Sequence, residues 1–258
     1  MSNADLSKWI TIMPNYRPPR VFISYRHTER NKQELAGRAH NALHWAWVKK
    51  FAEDLERKGV DVVHDLKIQM RLDALFGPKT AESPAVANII VACMQICDFF
   101  MPIITSTYLK RIGYEDGTWQ ESWEPGIVHD EFQHALRLSR KRQMGLLTIL
   151  REGRVKVLER AQLGWNEKNV VDMTDLPLIE GGEAVVGEVD LRSMKTTIKG
   201  TVTEKRSVKP KEQDRAYYER AVTKIGEVLR TSRGNRKPAV DMELDAFLLH
   251  VLFDWDIL

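Results

Sequence analysis

A short apolar run that stops abruptly on polar residues is the feature that most limits how this chain can fold. Val21, Phe22 and Ile23 favour a β-strand, and Ser24, Tyr25 and Arg26 follow them directly. An apolar run of this kind is typical of a strand covered on both faces, and in open α/β sheets ligands collect where parallel strands end. We therefore expect these polar groups at a ligand-binding edge. The alternative is an ordinary strand that leaves the core with solvated side chains.

The residues that follow predict a β-α-β unit. Residues 45–58 place apolar side chains at helical spacing, Gly59 is suited to end that helix, and residues 60–64 predict a second strand. Two parallel strands joined by a helix favour a right-handed crossover and an α/β architecture.

The same alternation continues along the chain. We predict further strands at 98–105, 145–150 and 170–173, and helices at 85–97, 127–142 and 212–230. Between these elements we expect long loops at 28–41, 65–84 and 106–126, and a hairpin or exposed insertion at about 178–210. Residues 242–258 form an apolar and acidic tail that could pack on the parent domain or on another copy, and packing on the parent domain is favoured.

Composition excludes several classes of protein. The 258 residues are 43% apolar and carry a net charge of +3, which argues against wholesale disorder and against a dedicated nucleic-acid binder. Only two cysteines are present, Cys93 and Cys97, and core thiols are a better interpretation than a disulfide framework. The most apolar stretch, 85–104, contains polar residues that would be costly in a bilayer, and no secretory leader is visible, so a cytoplasmic location is expected.

Three motif-like patterns each lack a feature that the motif requires. His129 and His134 are five residues apart and would not share a helix face, unlike the histidines of a zinc protease. His40 and His44 have the right spacing but no third ligand, so no metal site is predicted. The Gly77-Pro78-Lys79-Thr80 segment lacks the first glycine of a P-loop.

One acidic residue in the predicted helix 127–142 could face a ligand-binding cleft. Glu131 lies at the margin of the apolar stripe near the helix N-terminus, where it could face a cleft. Its carboxylate would then be within reach of Ser24, Tyr25, Arg26 and Asp65. The alternative is a solvated or capping glutamate, which the helix dipole also favours.

Four segments together resemble the TIR (Toll/interleukin-1 receptor) domain family. They are Arg20-Val21-Phe22-Ile23-Ser24-Tyr25-Arg26, Val60-Asp61-Val62-Val63-His64-Asp65, Cys97 to Ser106 and Val128-His129-Asp130-Glu131, in the family's order. The resemblance implies a flavodoxin-like α/β fold, with a central parallel five-stranded sheet and helices on both faces. It implies an N-terminal extension at 1–19 and a TIR domain at 20–232, with a core at 20–175, an insertion at about 178–210 and a closing helix at about 212–230. A C-terminal tail at 233–258 has no family counterpart.

The resemblance also implies an activity. In the enzymatic branch of the family, the glutamate of the third helix is the catalytic residue of an NAD+ glycohydrolase, and this role carries over to Glu131. NAD+ is then the substrate, no further cofactor is needed, and the product is ADP-ribose or a cyclic form of it. Arg26 is a candidate for the pyrophosphate. The other substrate-binding candidates are Ser24, Tyr25, Asp65, Ser106 and Trp123. The family's enzymes often have a tryptophan four residues before the glutamate, where this chain has Ile127.

The resemblance leaves the function open between two main hypotheses. The first is an NAD+ hydrolase of bacterial antiviral immunity, and the second is a non-catalytic TIR adaptor. A nucleoside-processing transferase is a weaker third possibility. Under either main hypothesis we expect homo-oligomers through TIR–TIR contacts and an activating protein partner, with no membrane and no direct nucleic-acid binding.

Overall fold

A parallel β-sheet forms the centre of the protein. The structure is a computed structural model that describes residues 17–26, 35–77, 85–115, 118–119, 126–151, 170–173, 188–190, 195–197, 212–233 and 238–254. Its strands are β1 (Arg20–Ser24), β2 (Asp61–Val63), β3 (Phe99–Ile104), β4 (Tyr114–Glu115), β5 (Thr118–Trp119), β6 (Gly145–Leu146), β7 (Thr148–Leu150), β8 (Val170–Asp172), β9 (Glu188–Asp190) and β10 (Lys195–Thr197).

The central sheet has the strand order β2-β1-β3-β7-β8, and all of its pairings are parallel. The short β6 pairs with β3 just before β7 does, so a single predicted strand at 145–150 is interrupted at Leu147. These positions are the five strands that the sequence predicts. The order matches the flavodoxin-like arrangement, which confirms the predicted fold class.

Helices cover both faces of this sheet, as predicted. The helices are α1 (Leu35–Arg57), α2 (Asp65–Phe76), α3 (Ala85–Ala92), α4 (Ser106–Arg111), α5 (Ile127–Arg140), α6 (Glu212–Arg233) and α7 (Leu244–Asp254). Alternate side chains of each strand point to opposite faces, so Phe22 packs under α2, α3, α5 and α7, whereas Val21 and Ile23 pack under α1 and α6.

Three predicted loops contain more regular structure than expected. Residues 65–84 were predicted to be irregular, but α2 occupies the first part because His64 caps it and Gly77, with φ of +92°, ends it. Residues 106–126 contain α4 and the small β4-β5 hairpin. The loop predicted at 28–41 overlaps α1, which begins at Leu35 and not at residue 45.

Element ends also differ slightly from prediction. The helix expected at 85–97 is α-helical only to Ala92 and continues as a 3₁₀ turn at Cys93–Ile96. The helix expected to end at residue 142 ends at Arg140, and α6 continues to Arg233. Within residues 178–210, where a hairpin or an exposed insertion was expected, β9 and β10 pair antiparallel.

Buried ion pairs hold the amino-terminal edge of the sheet. Arg17 donates from both terminal nitrogens to the carboxylate of Asp98, at 2.8 and 3.0 Å, and the backbone N–H of Arg20 donates to the same carboxylate. The buried guanidinium of Arg20 contacts Asp61 at 2.5 Å and Glu243 at 2.7 Å. These contacts tie the segment before β1 to the start of β3 and to the chain before α7.

The C-terminal helix α7 packs against the sheet rather than standing apart. Its buried side chains join the apolar cluster that contains Phe22 and Phe100, and they are Leu244, Phe247, Leu248, Val251 and Leu252. Before α7, the N–H of Val240 donates to the carbonyl of Gln95 at 2.9 Å. In the part of the chain that the structure describes, no helix is both long and apolar enough to cross a membrane.

Candidate functional site

The end of β1 and the second turn of α5 meet through one hydrogen bond. Ser24 is the last residue of β1, and its side chain points to the face of the sheet that α5 covers. Its hydroxyl donates to Glu131 Oε2 at 2.5 Å. The two groups that the sequence places near each other are therefore in direct contact at the carboxyl-terminal edge of the sheet.

Tyr108 is a third member of this cluster. Its phenol oxygen lies 3.0 Å from the hydroxyl oxygen of Ser24, and its side chain is fully buried. The hydroxyl of Thr105 caps α4 by accepting from the N–H of Tyr108 at 3.1 Å. Tyr108 was missed because its segment was predicted to be a loop. A hydroxyl residue directly after an apolar strand is the N-cap signal that could have revealed the helix.

Burial dominates the electrostatics of Glu131. The side chain is only 4% exposed, and this burial raises the pKa of its carboxyl group well above the usual range. The hydrogen bond from Ser24 lowers that pKa, while the negative charges of Asp65 and Asp130 raise it further. Burial therefore shifts Glu131 toward its protonated form, in contrast to a solvated or capping glutamate.

Tyr25 approaches the same edge from the opposite face of the sheet. Its ring packs near the ring of His44, with a centroid distance of 6.3 Å. Burial raises the pKa of its phenol well above normal, and the charge and side-chain hydrogen bond of Asp65 raise it as well, with a smaller effect from Glu131. Asp65, the first residue of α2, also accepts from the N–H of Leu66 at 2.8 Å. The structure thus brings Tyr25 and Asp65 into the surroundings of Glu131.

The remaining predicted site residues are placed less fully. Arg26 directly follows Tyr25 and is partly buried at the end of β1. Ser106 provides the first backbone unit of α4, but its side chain lies outside the described residues. Trp123 also lies outside them. Direct contacts therefore connect Ser24 with Glu131, and Tyr25 with Asp65.

A surface groove lies elsewhere in the described residues. It has a volume of about 920 Å³ and runs between α1 and α6, where its lining includes Lys50, Asp54, Tyr218 and Lys224. This is the face of the sheet opposite α5, and no predicted site residue lines the groove. Because Glu131 is nearly inaccessible to solvent, its carboxyl group lies beneath the surface and not in an open pocket.

Thiol and metal chemistry receive no support from the described residues. Cys93 and Cys97 are buried free thiols, as predicted, and burial raises the pKa of both thiols, which keeps them unreactive. No group of three or more histidine, cysteine or acidic side chains in the described ranges could hold a metal ion.

The chemistry available at this edge is that of one carboxyl group controlled by neutral hydroxyls. A carboxyl group of this kind can exchange a proton or, when ionised, stabilise a positive charge that develops nearby. Ser24 and Tyr108 provide hydrogen bonds but bring no opposing charge. No protein-family model, curated protein or solved structure matches this chain.

Proposed function

We propose that this protein is a TIR-type NAD+ glycohydrolase in which Glu131 is the catalytic residue. The observation that carries the proposal is the 2.5 Å hydrogen bond from Ser24 to Glu131. It puts the acidic residue of α5 at the carboxyl-terminal edge of a parallel sheet, where ligands bind in open α/β folds. The choice of NAD+ as the substrate rests on the resemblance of the β1 and α5 segments to TIR enzymes.

The reaction suits a single carboxylate. The bond between the nicotinamide nitrogen and the ribose C1′ breaks with its electron pair going to the pyridinium ring, which leaves as neutral nicotinamide. The sugar develops oxocarbenium character in the transition state, as in glycoside hydrolysis. An ionised Glu131 stabilises this positive charge, and water adds to C1′ and releases a proton to give ADP-ribose. Attack by a group of the substrate itself would instead give a cyclic product.

Because Glu131 is buried, catalysis requires two changes at its carboxyl group. The carboxyl group must lose its proton and come into contact with the ribose, although it is 4% exposed in this structure. The bound nicotinamide ring is cationic, and a cation close to a buried carboxyl group favours its ionised form. Substrate binding thus promotes the charge state that the reaction needs.

The neighbouring residues have proposed roles by position. Arg26 binds the pyrophosphate through its guanidinium group. Tyr25 and Asp65 shape the base and ribose pockets, and Ser106 and Trp123 complete them. We further propose that the enzyme acts in the cytoplasm in bacterial antiviral defence, as a homo-oligomer assembled through TIR–TIR contacts and triggered by an activating protein.

A non-catalytic TIR adaptor is the second candidate, and the burial of Glu131 favours it. A carboxyl group enclosed by Ser24 and Tyr108 can serve to lock α5 against β1 without ever meeting a ligand. In that case the protein acts through self-association alone.

The two candidates predict different effects of Glu131→Gln on the release of nicotinamide from NAD+. Purified wild-type and variant proteins are incubated with NAD+ at high protein concentration, and nicotinamide release is followed by chromatography. Loss of the carboxylate removes the charge that stabilises the transition state, so we expect release to fall at least about 100-fold. Asp130→Asn is the matched control, because it removes the adjacent, exposed carboxylate of the same helix and should retain most of the activity.

Each outcome separates the candidates. Equal release by wild-type protein and Glu131→Gln would contradict the assignment of Glu131 as catalytic. No release by any of the three proteins, together with unchanged self-association of Glu131→Gln in sedimentation experiments, would support the adaptor.

A further inference from the structure

The geometry points to Tyr108 as a positioning residue that orients the hydroxyl of Ser24 toward Glu131. The inference rests on the proposed function for its catalytic meaning, although the interaction itself can be tested without any substrate. Tyr108 would act on Glu131 only through Ser24, because its phenol oxygen lies 3.0 Å from the Ser24 hydroxyl oxygen.

When Glu131 is ionised, counting protons fixes the direction of these hydrogen bonds. The hydroxyl of Ser24 has one proton, which it donates to Glu131 Oε2 at 2.5 Å. The short contact between Ser24 and Tyr108 can then be a hydrogen bond only if the phenol is the donor. Tyr108 therefore donates to Ser24, and Ser24 donates to Glu131.

The fold holds Tyr108 in this orientation. Its side chain is fully buried in the apolar cluster on the α5 face of the sheet, and its N–H is held by the hydroxyl of Thr105. Burial raises the pKa of Tyr108 well above normal, so the phenol keeps the proton that it donates. The charge of Glu131 raises that pKa as well.

A chain of two hydrogen bonds acts cooperatively. Donation by Tyr108 polarises the O–H of Ser24, which strengthens the bond from Ser24 to the carboxylate. Around Glu131, this is the contribution that favours ionisation. The opposing contributions are burial and the charges of Asp65 from α2 and Asp130 from α5. Removal of the Tyr108 hydroxyl should therefore make Glu131 harder to ionise.

The chain also has a reversed form that links it to the protonation of Glu131. A protonated Glu131 can donate to Ser24, whose own proton then turns toward the oxygen of Tyr108. Ser24 and Tyr108 can thus remain hydrogen-bonded in both charge states of the carboxyl group, and the bond to the ionised form is the stronger of the two. This property suits a residue that changes its ionisation during a reaction.

The test is a direct titration of Glu131 in the full-length protein. Carbon-13 NMR of protein labelled at the glutamate side-chain carboxyl carbons follows each pKa, and the Glu131→Gln spectrum identifies the signal of Glu131. Tyr108→Phe keeps the buried ring and removes only the hydroxyl. We expect it to raise the pKa of Glu131 by about 0.3, and we expect Ser24→Ala to raise it by about 1.

Two comparisons show whether Tyr108 acts through Ser24. Tyr218→Phe is the matched control, because it removes a buried phenol that donates to Asp54 at 2.7 Å on the opposite face of the sheet. It should leave the titration of Glu131 unchanged. In the double variant Ser24→Ala/Tyr108→Phe, the pKa of Glu131 should equal that of Ser24→Ala alone.

Two results would overturn the inference. In the first, Tyr108→Phe leaves the pKa of Glu131 where Tyr218→Phe leaves it, or lowers it. In the second, Tyr108→Phe shifts that pKa equally with and without the Ser24 hydroxyl. Because no NAD+ is used, a protein that gives the expected shifts but releases no nicotinamide would contradict the proposed function and leave the role of Tyr108 intact.

Discussion

At the scale of single residues, Glu131 is a carboxyl group whose position costs the folded protein stability. A carboxylate removed from water loses its hydration, and one hydrogen bond from Ser24 offsets only part of that loss. The nearby charges of Asp65 and Asp130 add to the cost. Buried titratable groups with shifted pKa values are common at functional sites, where activity is favoured over stability.

This cost makes a pH-dependent prediction for Glu131→Gln. The folded state raises the pKa of Glu131 above its ordinary value of 4.5, so with rising pH the unfolded chain loses the proton before the folded protein does. The free energy of unfolding of the wild-type protein therefore falls between that value and the folded-state pKa. Glutamine does not titrate, so its free energy of unfolding lacks this fall. Between pH 4 and pH 8 we therefore expect the free energy of unfolding of Glu131→Gln to rise by at least about 1 kcal/mol relative to that of the wild-type protein.

Urea denaturation at several pH values measures this difference. Asp130→Asn serves as the control, since Asp130 is an exposed neighbour on the same helix and should not reproduce the effect. An identical pH dependence for wild-type protein and Glu131→Gln would show that the carboxyl group titrates normally in the folded state.

At the scale of elements, the strands could be predicted and several helices could not. Short apolar runs such as the one that ends at Ser24 are typical of buried parallel strands. The helix α2 was missed because Gly77 and the prolines of its segment indicated a loop, whereas Gly77 ends a helix that His64 starts by capping. The helix α4 has six residues, too few to show a period in the sequence.

The same difference explains which site residues were found. The position of Glu131 near Ser24 could be predicted because α5 is amphipathic and the edge rule for parallel sheets put the two residues together, whereas its catalytic role rests on the family resemblance. Tyr108 depends on the unpredicted α4, and it enters the site only because Thr105 starts that helix. The burial of Arg20 was not predicted, because it depends on acidic partners that are distant in sequence and not visible in a local pattern.

Asp98 makes a testable link between elements. Asp98 directly precedes β3, and its carboxylate is fully buried. The carboxylate binds Arg17 and the backbone N–H of Arg20, and it lies 3.7 Å from Arg233. Removing one partner of a buried ion pair leaves the other charge uncompensated. We expect Asp98→Asn to lower the free energy of unfolding by about 3 kcal/mol.

A second partner of Arg17 provides the control for Asp98. Asp241 also contacts Arg17, at 3.0 Å, but its side chain is 70% exposed, so Asp241→Asn should cost less than about 0.5 kcal/mol. Chemical denaturation of both variants in the same buffer measures the contrast. Similar losses for the two variants would mean that burial does not control the strength of these ion pairs.

At the scale of the whole molecule, the C-terminal tail is part of the main core. The polar segment before it, 232–238, has the composition of a linker and suggested a boundary. Hydrogen bonds across this segment show that α7 belongs to the same domain. Arg20 donates to the carbonyl of Met242 at 2.7 Å, and the N–H of Val240 donates to the carbonyl of Gln95. Composition reports local chain preferences, whereas the position of α7 is decided by the apolar surface that the sheet and the other helices leave for it.

The structural role of α7 can be measured with two phenylalanines of the same helix. Phe247 is 3% exposed and belongs to the apolar cluster with Phe22 and Phe100, whereas Phe253 is 67% exposed. Phe247→Ala leaves a cavity and loses apolar burial, so we expect it to lower the free energy of unfolding by about 3 to 5 kcal/mol. Phe253→Ala removes an equal volume from the surface and should change it by less than about 0.5 kcal/mol.

If α7 were an independent tail, both variants would unfold at the same urea concentration as the wild-type protein, and the main transition would not respond to either. A single cooperative transition that shifts only for Phe247→Ala would establish that the C-terminal helix and the sheet unfold as one unit.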